Sequence, residues 1–412
     1  MVAGMMDKLQ EFKYFSKKTL LNRSHIHLMM TSVVIMAGGE GTRIRPLTFS
    51  RPKPLVPIVN RPILDYIFHR ITCSDYEKVI MTLGYLKNQI ESYAESRYPD
   101  VDFRFHVEKK PLGTAGGVKA ASGHIDETFI VLSGDVLFDL DLKSLLNFHR
   151  SRDALVTIAL TPVEDPSHYG IAILDSEMKI KRFHEKPRPH EAFSKIANAG
   201  IYVMEPEILD KIPSGPVDFS KDVFPELIEE DMGVYGFVFD GYWNDVGKPD
   251  TFLRANHDVL KGYLKPDPPG ELINERPGQF GNIWVGEDVR IGRRVRITGP
   301  AVIGDGAEIG EGAFIGRNTV LGSGVSVGRG SIIKGSVIFD GGSIGRSSHL
   351  INCILDDGSV ISEECVIDRC AMVGRDVEIG PGTVIRSRRR IRDRIRIIPG
   401  SLVDSDYLMR GG

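Results

Sequence analysis

Two hydrophobic rhythms divide the chain. Between Val33 and about Leu260, short β-branched runs alternate with stretches long enough for helices: VVIMA (33–37), KVIMTLG (78–84), TFIVLSGD (128–135) and LVTIALT (155–161). This alternation predicts an α/β domain built on a mainly parallel sheet covered on both faces. Further on, the period becomes six. Apolar residues recur at Val285, Ile291, Ile297, Ile303, Ile309 and Ile315, then at Leu321, Val327, Ile333 and Phe339. After an interruption the spacing returns at Leu355, Ile361, Ile367, Val373, Ile379 and Ile385. Six fits neither a helix nor a lone strand, but it fits one short strand plus one sharp turn. Three such hexads close one coil of a parallel β-helix. Small residues two positions earlier (Ala301, Ala307, Ala313, Ser331) suit its corners. Glycines after the apolar position, such as Gly304 and Gly322, are expected to supply strained backbone.

Between the two patterns, 264–281 is rich in Pro, Gly and charge and reads as a linker. The expected organisation is an N-terminal extension (1–31), an α/β domain (32–263), the linker, a hexad domain (282–400) and a tail (401–412). Lys13, Lys17 and Lys18 precede TLLNRSHIHLMM, which is too polar for a signal-peptide core. That segment reads as a helical or disordered extension, with Met29 or Met30 an alternative start. No apolar run approaches the roughly 20 residues of a membrane span. The charge balance, 52 Lys+Arg against 55 Asp+Glu, argues against a dedicated nucleic-acid or membrane-surface binder. Four scattered cysteines (Cys73, Cys353, Cys365, Cys370) form neither a disulfide framework nor a CxxC pair. Reduced thiols in the cytoplasm are the expectation.

The sharpest chemistry lies in VVIMAGGEGTRIRPLTFSRPKPLVP, residues 33–57. A buried strand runs into a glycine-rich turn, where backbone N–H groups can approach phosphates. No GK[ST] follows, so it is not a Walker loop. Ile44 stands where a dinucleotide fingerprint needs its third glycine. Instead Arg43, Arg45, Arg51 and Lys53 crowd beside Pro52, Pro54 and Pro57. A stiff glycine loop flanked by cations suits a polyphosphate whose leaving group must be neutralised.

GEGTRIRPLTFSRPKP (39–54) resembles the signature of the sugar nucleotidyltransferases, or NDP-sugar pyrophosphorylases. The resemblance continues through PLGTAGGVKAA (111–121), LSGDVLFDLDL (132–142), FHEKP (183–187), NAGIYVM (198–204) and YWNDVGKPDTFLRAN (242–256). With the hexad domain and SHLINCIL (348–355), the chain is most similar to the mannose-1-phosphate guanylyltransferases. The resemblance implies a Rossmann-like nucleotidyltransferase domain followed by a left-handed parallel β-helix of hexapeptide repeats. It implies nucleotide contacts at Ala37, Gly38, Gly39, Gly41, Thr42, Gly113 and Thr114, with Arg43 and Lys53 catalytic on the triphosphate. Gly170, Glu185, Lys186 and Asn198 would bind the sugar phosphate, and Asp135 and Asp245 would hold Mg²⁺. The activity it implies joins GTP to mannose 1-phosphate, releasing pyrophosphate. Glucose 1-phosphate with ATP, UTP or dTTP, and a non-catalytic regulatory paralogue, are the alternatives. All the motif residues are present, which favours an enzyme.

Only one of eleven histidines, His349, lies beyond the linker, so a second, acetyltransferase activity is not expected. The hexad domain is expected to serve assembly, making the chain a homo-oligomer, or regulation. VIRSRRRIRDRIR (384–396) packs seven arginines into thirteen positions. It reads as a solvated end cap, with an anion site or subunit contact as alternatives.

Overall fold

The computed structural model describes residues 31–72, 76–273 and 281–408. The expectation for residues 1–30 lies outside them, as does part of the linker. In the N-terminal part, besides a short antiparallel pair (Pro57–Ile58 and Arg61–Pro62), the strands are β1 (Thr31–Ala37), β2 (Tyr76–Leu83), β3 (Phe103–Val107), β4 (Phe129–Ser133), β5 (Val136–Phe138) and β6 (Val156–Pro162). They continue with β7 (Gly170–Leu174), β8 (Ile180–Glu185), β9 (Ile196–Met204), β10 (Val234–Val238) and β11 (Trp243–Asp245). The main sheet runs β8-β7-β9-β4-β1-β2-β3, with β6 joined to β9 and β10.

The half containing β4, β1, β2 and β3 is parallel. Alternate residues of β1 feed two cores: Val33 and Ile35 enter one, Val34 the other. Each such fully buried aliphatic side chain contributes about 1.5–3 kcal/mol. The other half is joined antiparallel through β9. The run 155–161 therefore pairs antiparallel with β9 and parallel only with β10. Strand composition reports burial, not strand direction, so the sequence pattern did not separate the two halves.

The second part is a left-handed parallel β-helix whose three sheets each hold seven parallel strands, the first sheet extended by Glu271–Leu272, which lies in the segment read as linker and pairs antiparallel with Ile283–Val285. Its inner row runs from Ile303 to Val403, nearly every member below 3% exposed. Two five-residue steps, Ile333 to Ile338 and Leu350 to Leu355, break the six-residue spacing, the first of them ahead of the interruption seen in the sequence. Phe339 consequently lies outside the inner row, packed on the core of the first domain. The post-apolar glycines act through space rather than backbone strain. A Cβ on Gly304 would lie 2.5 Å from the Gly322 carbonyl carbon of the next coil. The left-handed backbone falls elsewhere in the hexad, at Gly306 and even Asn318.

One outward row of the β-helix, comprising Trp284, Val302, Val320, Val337, Ile354 and Met372, is buried in the same core as β1. The two domains therefore share a hydrophobic core, not just a tether. No described helix is long and apolar enough to cross a membrane.

Candidate active site

A cleft of about 510 Å³ opens beside the ends of β1 and β4. Its walls bring together Ala37, Gly38, Gly39, Gly41, Thr42, Arg43, Lys53, Gly113, Thr114 and Asp135, all named from the sequence. Gly41 turns the loop with φ 62°, and a Cβ there would meet Thr48 Cγ2 at 2.9 Å and Lys53 Cβ at 3.1 Å. The Thr48 hydroxyl donates to the Gly41 carbonyl (2.9 Å), fastening the turn to the segment that carries Lys53.

Asp135 and Asp245 are distant in sequence but adjacent in space because β5 and β11 pair antiparallel, with Asp245 opposite Val136. Lys53 Nζ lies 2.5 Å from Asp135 Oδ2 and 3.7 Å from Asp245 Oδ1. Arg43 reaches Asp245 at 3.9 Å, and the Ser133 hydroxyl donates to Asp135 at 2.6 Å. Burial pushes the Asp135 carboxyl up, but the Lys53 ammonium and its hydrogen bond outweigh it and hold the group below the ordinary range. Asp245 moves the other way: burial and the Asp135 charge raise it, against Lys53, Arg43 and Lys186. Two like charges held this close divide in this manner.

The donor set fits a divalent cation. Both carboxylates converge on the Lys53 ammonium, so this point already holds positive charge. No described group of three or more Asp, Glu, His or Cys forms a closed metal cage. Phosphate oxygens and water would complete the shell, as is usual for magnesium.

The helix Gly113–Ala120 lies against the backbone at 215–217. A Cβ on Gly113 would come 2.5 Å from the Val217 carbonyl oxygen, and one on Gly116 2.3 Å from that of Gly215. Thr114 donates to Asp218 at 3.1 Å and accepts from the Phe219 amide at 2.9 Å. Its hydroxyl therefore pins the loop.

On the other side of Arg43 and Gly247, a hollow of about 390 Å³ is lined by Asp245, Tyr169, Trp243 and Lys248. Gly170, Glu185, Lys186 and Asn198, the residues expected to bind the sugar phosphate, line neither this hollow nor the cleft; Gly170 follows Tyr169, and a Cβ on it would fall 2.8 Å from Glu185 Oε2 and 2.4 Å from Phe183. Lys186 pairs with Glu185 at 2.9 Å and holds φ at 48°, a conformation costly for a residue with a side chain. Asn198 is drawn inward. Its amide donates to Tyr202 and Ser220, and its oxygen accepts from the Gly200 amide. That geometry braces the irregular middle of β9, where pairing with β6 shifts register.

Three acidic residues of the cleft were not singled out from the sequence: Glu40, Glu108 and Asp218. Glu108 accepts from the Leu112 amide at 3.0 Å, and its other oxygen approaches Gly38 and Gly117. Its only signal was a carboxylate just ahead of PLGTAGG, where a turn former would equally stand.

A family model described as nucleotidyl transferase matches residues 32–262. The chain belongs to that family. A second model, the EIF2B subunit epsilon LbH domain, matches residues 280–385, the β-helix. Mannose-1-phosphate guanylyltransferase catalytic subunit beta of Drosophila pseudoobscura pseudoobscura is 37% identical over 272 residues, 65% of this chain and 72% of the relative. Mannose-1-phosphate guanylyltransferase of Mycobacterium tuberculosis is 36% identical over 282 residues, 65% and 78%. UTP–glucose-1-phosphate uridylyltransferase of Synechocystis is 34% identical over 299 residues, 65% and 76%. The transferase is thus a sugar-1-phosphate nucleotidyltransferase, an enzyme that binds a nucleotide and a sugar phosphate.

Proposed function

We propose that the enzyme transfers guanylyl from GTP to mannose 1-phosphate, using Mg²⁺ and releasing pyrophosphate. Support comes from the guanylyltransferase relatives and, in the site, from the Glu108 carboxylate in the cleft wall. A carboxylate only accepts hydrogen bonds. The guanine edge offers it two adjacent donors, N1–H and the 2-amino group. Uracil and thymine offer one donor flanked by carbonyls, and adenine one donor beside an acceptor. Assigning guanine to Glu108 therefore weighs against the uridylyl reading that the Synechocystis relative supports.

In this reading an oxygen of the sugar 1-phosphate attacks the α-phosphorus in line, and pyrophosphate leaves opposite. The nucleophile is already an anion, so no general base is required. Lys53 and Arg43 stabilise charge building on the departing phosphates, and the loop from Gly38 to Thr42 holds them in place. Lys186 and Glu185 fix the sugar phosphate. Asp135 and Asp245 would hold the magnesium ion, which would supply further neutralisation of phosphate charge.

Inosine triphosphate, which lacks the 2-amino group, tests the base assignment. The parent enzyme should lose roughly tenfold in kcat/KM with it, the value of one hydrogen bond to a charged group. Glu108→Gln should lose GTP activity and largely erase the difference. If the parent used both nucleotides equally, Glu108 would not read guanine.

A further inference from the structure

One corner row of the β-helix changes composition where it meets the catalytic domain. Directly after the inner apolar residue, four coils carry glycine: Gly286, Gly304, Gly322 and Gly374. The next coil requires it, since a Cβ on Gly286 would lie 2.6 Å from the Asp305 nitrogen and one on Gly374 2.7 Å from that of Asp393. The other three coils carry Phe339, Asp356 and Arg392 at the same position. All three touch one stretch of the signature segment. Asp356, fully buried, accepts from Arg51 at 2.9 Å. The Arg51 guanidinium lies 5.0 Å over the Phe339 ring, and that of Arg392 5.0 Å over the Phe49 ring. The catalytic domain holds this stretch as well. The Tyr85 hydroxyl donates to the Thr48 and Phe49 carbonyls at 2.9 and 3.0 Å, and Gln89 donates to that of Ser50 at 3.0 Å.

Arg51 is buried, and a buried guanidinium is tolerated only where acids meet it in good geometry. Asp356 and Asp357 of the β-helix are those acids. Two residues further on stands Lys53. Pro52 is the link between them and Pro54 follows, and each ring locks its φ. The Leu55 amide donates to the Pro52 carbonyl at 2.9 Å and the Val56 amide to that of Lys53 at 3.0 Å, closing a tight turn. A shift at Arg51 is therefore carried to Lys53 rather than absorbed on the way. We propose that Arg51 is a positioning residue for Lys53, and that the β-helix corner, through Asp356, Asp357 and Phe339, sets where the Lys53 ammonium meets the departing phosphates. This rests on the role proposed above for Lys53 and holds for any base and sugar. It gives the second domain a part in the reaction of its own chain, because misplacing such a group by about 1 Å costs up to roughly 10²-fold in rate.

A cycle of Arg51→Met, Lys53→Met and the double variant tests this, with kcat and KM measured on the full chain for the nucleotide and sugar phosphate it turns over fastest. Arg51→Met strands no charge. The Asp356 carboxyl, which burial already pushes up to about 7, takes a proton, and Asp357 keeps Arg375. Arg51→Met should lower kcat roughly 10–10²-fold while each KM moves less than about threefold. In the Lys53→Met background the same substitution should cost less than about twofold, since nothing is left for Arg51 to position. If Arg51→Met does not fold, Arg51→Lys carries the same cycle, because it keeps the charge and loses the planar fork. An undiminished kcat in the Arg51 variant, or an equal loss with and without Lys53, would overturn the proposal. An undiminished kcat in Lys53→Met would instead remove the role of Lys53 on which it rests.

Discussion

Lys53 holds two tasks at once. Its side chain is buried, and its ammonium is the positive charge that allows Asp135 and Asp245 to lie within reach of each other. Lys53→Met should therefore cost more than transition-state charge. We expect kcat to fall roughly 10²–10³-fold, the usual cost of removing one oriented donor. We also expect a lower melting temperature, partly recovered by Mg²⁺ because a divalent cation satisfies the same carboxylates. A thermal shift series with and without Mg²⁺ checks this, and equal deficits in both would sever Lys53 from the metal site. That Lys53 and Asp135 belong to one site was legible only through the family resemblance of their motifs. No spacing in the sequence announces that Asp245 will lie opposite Val136; a two-stranded pairing decides it.

At the scale of elements, the β-helix holds the signature segment at several points. Arg51 donates to Asp356 at 2.9 Å and to Asp357 at 2.5 Å, and Arg375 also reaches Asp357. Phe49 has Arg45 and Arg392 over its ring at 5.2 and 5.0 Å. Arg390 reaches the Arg43 carbonyl at 3.5 Å. Part of the arginine-rich run thus abuts the catalytic loop, while Arg386, Arg394 and Arg396 pair with acids one coil back. The Asp356 carboxyl is pushed up to about 7, chiefly by burial, with Arg51 opposing and Asp357 adding to the rise. The folded chain then keeps a proton that the unfolded chain releases near pH 4. This residue's contribution to stability is therefore full below about pH 4, declines as pH rises to about 7, and is flat beyond. Asp356→Asn removes the decline, so calorimetry should show the variant gaining melting temperature over the parent across that window. Parallel curves would mean that the carboxyl does not titrate there.

For the whole molecule, the hexad rhythm made the β-helix legible because its interior requires one large apolar residue per turn. The two five-residue steps and the displacement of Phe339 were not legible. Apolar character alone does not distinguish an inner row from a row covered by another domain. The same ambiguity hid the shared core: Trp284, Val302 and Val320 are buried by the catalytic domain and not by the coil. Glu108 was missed for the opposite reason, since one polar residue carries no period. The reaction itself is tested most directly by pyrophosphate release with Mg²⁺ across GTP, ATP, UTP and dTTP, each paired with mannose, glucose and N-acetylglucosamine 1-phosphates. We predict one dominant combination, GTP with mannose 1-phosphate. Dominant release from UTP with glucose 1-phosphate, or none from any pair, would contradict it.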